Sequence, residues 1–481
     1  MRNGSLTILQ INDTHGYLEP HPELVWHGGE ATYPTLGGYA RIAGLFKRIR
    51  LETKGAVVAL DNGDTLHGTY PAVTSKGQAF VPLLNALALD GMTAHWEFAF
   101  GPAHLRTLSR GLSYPILAIN CYDKEHGQLV FPPTRVLEQG GLRVGIIGIA
   151  ATIVDKGMPP AFSEGVRFTL GRDELPVHIA HLRDKENVDL VIALSHLGFP
   201  QDARLASEVT GIDVLLSGHT HNRLAEPARV NGAVIIQSGC HGSFVGRLDI
   251  HVEAGAIVGL QHRLIPIDET IAPDAAMETM VDAVLAPDRS MLQEVVGHTR
   301  IGLNRNTVLE ATMDNLLLDA MAEAAGTNLA FSNGWRYGAP VPPGPITRND
   351  LWNMIPTNPP VSTIEITGNE LWAMMEENLE RTFSGDPYAQ MGGYVKRCRG
   401  VNIYAKIENP KGHRIEHFFV GGEAINRDRT YTTAYVTMQA IPPRFGRNRR
   451  DLNVSAIQAL ERHLRNHGEV QPSLRDTVVA S

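Results

Sequence analysis

The chain has 481 residues, of which 43% are hydrophobic and 20% charged, and its formal net charge is −8. This is the composition of an ordinary folded protein, and at roughly 100–200 residues per domain the length predicts two domains. The acidic balance excludes a broad nucleic-acid surface, which needs a basic stripe, and no run of about 18 apolar residues is present to span a membrane.

The N-terminus, MRNGSLTILQIN, enters a strand directly, with no charged segment leading into a long apolar core. The expectation is a chain without a signal peptide, cytoplasmic as written and periplasmic if a leader has been trimmed. Short apolar runs follow: LTILQIN, AVVALD, RVGIIGIA, DLVIALS and DVLLSG. Amphipathic stretches such as GGYARIAGLFKRIRLET and DELPVHIAHLRDKEN lie between several of them. The alternation predicts a largely parallel, helix-covered sheet. AVIIQSG and GRLDIHVE read as late or antiparallel strands. Ala275 to Val295 then reads as a helix linking two halves. The second half mixes helices (TVLEATMDNLLLDAMAEAA, GNELWAMMEENLERTF) with strands (VSTIEIT, GVNIYAKI, TYTTAYVT), which predicts a separate α+β domain. The basic run from Arg444 to Leu452 reads as a solvated loop. Cys121, Cys240 and Cys398 are too few, and too far apart, for a disulfide framework.

The first-half strands share one feature at their ends. LTILQIN ends in Asp13-Thr14-His15, AVVALDN in Gly63-Asp64, DLVIALS in His196, and DVLLSG in His219-Thr220-His221. In open α/β sheets ligands bind outside the carboxyl ends of the strands, so separate strands deliver carboxylates and imidazoles to one edge. Mixed His and carboxylate donors suit borderline divalent ions such as manganese, iron or zinc. A single catalytic ion keeps about three protein ligands; this set is larger, and suits a pair bridged by one carboxylate.

NDTHG, GDTLHG, SHLG and GHTH, with SNGWR later in the chain, resemble the motifs of the calcineurin-like metallophosphoesterases, and more narrowly those of the 5'-nucleotidase family. LAFSNGWRYGAPVPPGPIT and ITGNELWAMMEE resemble that family's C-terminal substrate domain, so the resemblance covers nearly the whole chain. It implies an α/β fold: a four-layer metallophosphoesterase-type domain over residues 1–270, a linker helix over 271–296, and an α+β 5'-nucleotidase-type domain over 297–481. Carried over by residue, it gives one metal Asp13, His15 and His221. It gives the other His196, His219 and His95, with Asp64 bridging and a metal-bridging hydroxide as nucleophile. Two divalent ions are implied, manganese first, with zinc or iron as alternatives.

One segment departs from the family. Where TAHWEFAFG stands here, the nucleotidases read Gly-Asn-His-Glu-Phe, or carry Asp for Glu; their Asn binds metal and their His stabilises the transition state. This chain has His95 at the Asn position, Trp96 at the His position, and retains Glu97. An indole N–H donates a hydrogen bond but cannot shuttle a proton. Acid–base residues contribute about 10²–10⁴-fold, so phosphoester hydrolysis is expected to be impaired unless His67 or another group substitutes. The sulfate thiohydrolase (SoxB) branch of the superfamily has His-Trp-Glu-Phe at this point, and QSGCHGSFVGRLDIHV and DPYAQMGGYVKR are similar to it as well. That resemblance implies hydrolysis of a sulfonate from a sulfur-bound carrier, with a 5'-nucleotidase or related phosphoesterase of altered active site as the alternative.

The candidate catalytic residues are Glu97, an acid standing behind the ligands, Trp96, a pocket wall, and Arg336. Candidate substrate-binding residues are Asn333, Arg336, Arg397 and Tyr394. Guanidinium forks suit phosphate and sulfonate oxygens alike, so they do not choose between the substrates. Tyr394 matches one of the two base-stacking rings of the family. The second ring's motif is absent, and Phe445 lies in the corresponding region. The implied partners are a sulfur-carrier protein bearing a thiosulfonate cysteine, or a small nucleotide, with neither nucleic acid nor membrane.

Overall fold

Alternation along the first strand sets the architecture of the first half. In β1 (Gly4–Ile11), Leu6 and Ile8 point into one core while Leu9 and Ile11 point into another, as successive side chains of a strand must. The computed structural model describes residues 2–481. The chain divides into two compact units. One runs to Glu23 and resumes over Pro34–Pro287; the other takes Leu24–Tyr33 and Asp288–Ser481.

In chain order the first unit contains β1, α1 (Tyr39–Glu52), β2 (Val57–Asp61), β3 (Gly91–Met92), β4 (Thr134–Gln139), β5 (Leu142–Ile149) and α2 (Glu174–Asp184). There follow β6 (Leu190–Ser195), α3 (Phe199–Glu208), β7 (Val214–Leu216), β8 (Ala228–Val230), β9 (Ala233–Ile236), β10 (Phe244–Glu253), β11 (Ala256–Pro266) and α4 (Ala275–Leu285). Two sheets form, in the orders β11-β10-β1-β2-β3 and β8-β9-β7-β6-β5-β4. β1 is parallel to β2, and β5, β6, β7 and β9 run parallel in sequence. Leu6, Ile8, Val58, Leu60, Ile146, Ile192 and Leu216 fill the space between the sheets. Helices α1 and α4 cover the outer face of the first sheet, and α2 and α3 that of the second. The result is four layers, α-β-β-α. Periodicity along the sequence points to parallel strands but does not tell which of two sheets each strand joins.

The segment expected to link the halves resolves into α4, a short helix over Arg289–Leu292 and a strand over Val295–Thr299. Met277, Val281 and Leu285 of α4 are buried in the core of the first unit.

In the second unit, α5 (Thr312–Ala325), β12 (Leu329–Gly334), β13 (Pro360–Thr367), α6 (Gly368–Phe383), β14 (Tyr394–Arg399), β15 (Thr430–Tyr435), β16 (Arg447–Ser455) and α7 (Ala456–His467) are the main elements. Their sheet has the order β14-β12-β15-β13-β16. Leu371, Met374, Met375 and Leu379 of α6 pack on it. Capping boxes start α6, with Thr367 and Glu370, and α7, with Ser455 and Gln458, each satisfying backbone N–H groups that the first helical turn leaves open. The basic run expected as a solvated loop becomes in part β16, and Arg447 and Arg444 pair with Glu365 and Glu377. All three cysteines are buried thiols. Among the described residues no helix is long and apolar enough to cross a membrane.

Candidate metal centre

The carboxyl ends of β1, β2, β6 and β7 lie together. The turns after them deliver Asp13 and His15, Asp64, His196, and His219 and His221. Five of these residues take left-handed backbone conformations: Asp13 (φ 51°), His15 (48°), Asp64 (57°), His219 (70°) and His221 (57°). Such conformations are uncommon outside glycine and cluster where function over-determines the backbone. Gly63 (φ 91°) precedes Asp64 where a Cβ would stand 2.7 Å from the Thr93 carbonyl oxygen. Only glycine lets this turn approach the segment leading to His95.

Two groups of donor atoms form around Asp64. Asp64, His95, His196 and His219 make one; Asp13, His15, Asp64 and His221 make the other, with the atoms of each group within 4.8 Å of one another. Asp64 lies 3.0 Å from Nδ1 of His95 and 3.3 Å from Nε2 of His196. Asp13 lies 3.2 Å from Nε2 of His221. The structure thus brings together all seven residues expected as metal ligands.

Three observations test whether these residues fit a pair of cations. Nε2 of His95 is buried with no hydrogen-bond partner, which is costly unless something else occupies the lone pair. The tautomers are set: Nδ1 of His196 donates to the Asn62 carbonyl oxygen (2.6 Å) and Nδ1 of His15 to the His67 carbonyl oxygen (3.2 Å). Carbonyls only accept, so when these rings are neutral both Nε2 lone pairs face the cluster. Finally, Nε2 of His221 stands 3.2 Å from Nε2 of His15 and 3.2 Å from Oδ1 of Asp13, so one donor atom of each residue converges on the same point.

The electrostatics agree. Burial drives His15 down to about 3, so its ring is neutral. Burial opposes charge on His196 too, but Asp64 and Asp13 outweigh it and raise that ring to about 10. Burial works to raise the Asp64 carboxyl, yet His95 and His196 hold it well below its ordinary range. Two buried carboxylates therefore demand positive charge, and the residues present fit divalent cations.

Glu97 is buried, and its carboxylate accepts four backbone N–H groups. Oε1 takes Thr65 (2.7 Å) and Leu66 (3.3 Å); Oε2 takes His95 (2.8 Å) and Asp64 (3.2 Å). It holds the two loops that carry Asp64 and His95. Trp96 donates its backbone N–H to Asp64 Oδ1 (2.8 Å), and its indole stacks on His67, with centroids 4.4 Å apart and planes 21° from parallel. Phe162 meets the indole edge-on at 5.8 Å.

Sequence reasoning passed over two supports. Asn62 donates to the carbonyl oxygens of Ser195 and Leu216, both at 2.8 Å, tying together the ends of β2, β6 and β7. Its signal was its place, one residue before Gly63-Asp64. His241 donates its backbone N–H to the Asp13 carbonyl oxygen (2.7 Å), and Glu23 lies beside it, paired with Arg223 at 2.7 Å. Nothing local in the sequence marks Glu23.

The second unit holds the expected substrate residues. The guanidinium of Arg336 lies 5.6 Å from the Tyr394 ring centroid and that of Arg397 5.2 Å from it. Arg336 is half-buried and donates to the Gly393 carbonyl oxygen (3.1 Å). Arg397 is fully buried: it pairs with Asp314 (3.0 Å) and donates to the carbonyl oxygens of Thr307 (2.7 Å) and Val308 (3.0 Å). Arg397 is 1% exposed, which leaves Arg336 as the accessible guanidinium of the pair. Asn333 accepts from Thr437 (2.8 Å). Phe445 packs against the core of this unit under Arg444.

Residues 295–440 match the family model of the 5'-nucleotidase C-terminal domain. The trifunctional nucleotide phosphoesterase YfkN of Bacillus subtilis is 24% identical over 482 residues, covering 89% of this chain and 31% of that protein. The chain spans about a third of the length of YfkN and of two further curated relatives, one of them a probable 5'-nucleotidase of Treponema pallidum. The structure of a sulfate thiohydrolase, SoxB, from Thermus thermophilus superposes with a TM-score of 0.90 at 25% identity, covering 99% of this chain and 97% of that one. A 5'-nucleotidase precursor, also from Thermus thermophilus, has the same fold, with a TM-score of 0.87, 23% identity and 99% of both chains covered.

Proposed function

We propose that this chain, a metal-dependent hydrolase of the calcineurin-like metallophosphoesterase and 5'-nucleotidase family, is a 5'-nucleotidase-type phosphoesterase with an altered acid–base position. The observation that carries the reading is the pair of donor groups sharing Asp64. The names of its relatives, chiefly 5'-nucleotidases, support the phosphoester class.

Asp13, His15 and His221 would hold one ion, His95, His196 and His219 the other, and Asp64 both. Bound there, two divalent ions supply Lewis acidity and a water of lowered pKa. The chain's own residues supply the rest. Glu97 and Asn62 keep the loops bearing the ligands in place, a precision on which hydrolysis depends. Trp96 walls the centre and excludes water. His67, stacked on that indole, takes over the hydrogen-bond donation, but not the proton transfer, of the missing imidazole. Burial lowers it to about 4, so at neutral pH it is a neutral ring that donates one N–H to the departing oxygen. Within the second unit, Arg336 and Tyr394 match the residues with which the family is expected to bind a substrate's anion and base.

One observation favours a second reading, hydrolysis of a sulfonate bound to sulfur. The position that carries an acid–base imidazole in nucleotidases is occupied by a buried indole, and a sulfur leaving group needs less protonation than an alkoxide. Manganese-loaded protein of known metal content should be offered 5'-AMP, a generic phosphodiester and a peptide-bound cysteine S-thiosulfonate. Phosphate from AMP faster than sulfate from the thiosulfonate is the expected result. Sulfate release with little phosphate would replace this reading with the second.

A further inference from the structure

A different group of side chains converges in the second unit. His463 and His467 lie one turn apart at the C-terminal end of α7, with ring centroids 4.4 Å apart. Glu323, in the last turn of α5, reaches both. Its Oε2 lies 2.5 Å from Nδ1 of His463 and 3.1 Å from Nε2 of His467. Its other oxygen accepts from Nδ2 of Asn466 (2.8 Å). That bond fixes the carboxylate so that one oxygen faces both rings, as supporting hydrogen bonds do for metal ligands. The spacing of His463, Asn466 and His467 places all three on one face of the helix.

The three donor atoms lie within 4.8 Å of one another. Two imidazoles with one carboxylate are a donor set of borderline divalent ions, and leave coordination positions for water. Both helices end beside the group, and the C-terminal end of a helix favours positive charge. None of these residues belongs to the hydrolytic set. We propose that Glu323, His463 and His467 form a further, solvent-accessible site for a divalent ion of the zinc class, which ties the end of α5 to the end of α7.

The test uses the full chain, stripped with chelator, loaded with Zn²⁺ and separated from free ion. Atomic emission should find one equivalent more in the wild type than in the double variant His463→Gln/His467→Gln. Manganese-supported hydrolysis should be equal in the two, so a failure of the hydrolytic reading lowers both and leaves the zinc difference intact. Equal zinc content overturns the proposal. If the double variant does not fold, His467→Ala serves, because that side chain is 53% exposed. With Co²⁺ as probe, the wild type should then show a visible absorption component beyond that of the hydrolytic centre, which His467→Ala lacks, and identical spectra would overturn the site.

Discussion

Replacing Glu97 by Gln tests the claim that this carboxylate builds the centre by holding backbone. Each oxygen accepts one short and one long N–H bond: 2.7 and 3.3 Å on one, 2.8 and 3.2 Å on the other. Whichever way the amide turns, its carbonyl keeps one pair, and its NH₂ faces the other two donors. Two hydrogen bonds to a charged group are lost, at about 1.5 kcal/mol each, or about 3 kcal/mol in all. For a unit of this size each kcal/mol moves the thermal midpoint by about 2–4 °C, so the metal-free variant should melt about 6–12 °C lower. The loops carrying Asp64 and His95 would loosen together, and metal affinity should fall about 10–100-fold. Scanning calorimetry of the stripped protein and a manganese titration read both effects. A midpoint within about 2 °C of wild type, with unchanged affinity, would refute the positional role of Glu97.

Trp96→His should raise AMP hydrolysis by about 10²–10⁴-fold if the indole occupies the place of an acid–base imidazole; a fully metallated variant with no gain would end that argument. Arg336→Ala should raise the KM for an anionic substrate about tenfold, the equivalent of about 1.4 kcal/mol, with kcat less affected. Unchanged kinetics on every active substrate would remove Arg336 from recognition. Lys396 is buried, with its ammonium donating to the Gln439 carbonyl, and burial pushes it down to about 7 from its ordinary 10.5. The unfolded chain then binds more protons between those values, so stability should rise with pH from about 7 to 10.5, by at most about 5 kcal/mol. Urea unfolding should find Lys396→Met more stable than wild type at pH 7, with the advantage gone by pH 10.5.

The clustering of the candidate ligands is legible because most of them follow strands that the sequence marks by β-branched runs, and strand ends gather at one edge of a sheet. His95 lies outside that rule, after the two-residue strand β3, and was reached only through family resemblance. The position of Glu97 could be read, but its four bonds could not. Three of its donors lie some 30 residues upstream, and no local pattern announces such a cradle. Arg397 reads as a candidate anion binder, and the sequence does not show that Asp314, far upstream on α5, pairs with it in the core. Ala275 to Val295 reads as a linking helix, but the sequence does not show that Met277, Val281 and Leu285 enter the core of the first unit. Likewise Leu24–Tyr33 precedes most of the first unit in sequence and groups with the second, a long-range partition invisible to periodicity.

The central claim is that two cations share Asp64. Anomalous diffraction from crystals of manganese-loaded protein tests it most directly. The expected map has two peaks touching Asp64, one also contacting Asp13, His15 and His221, the other His95, His196 and His219. A single peak, or a pair that leaves Asp64 uncoordinated, would contradict it.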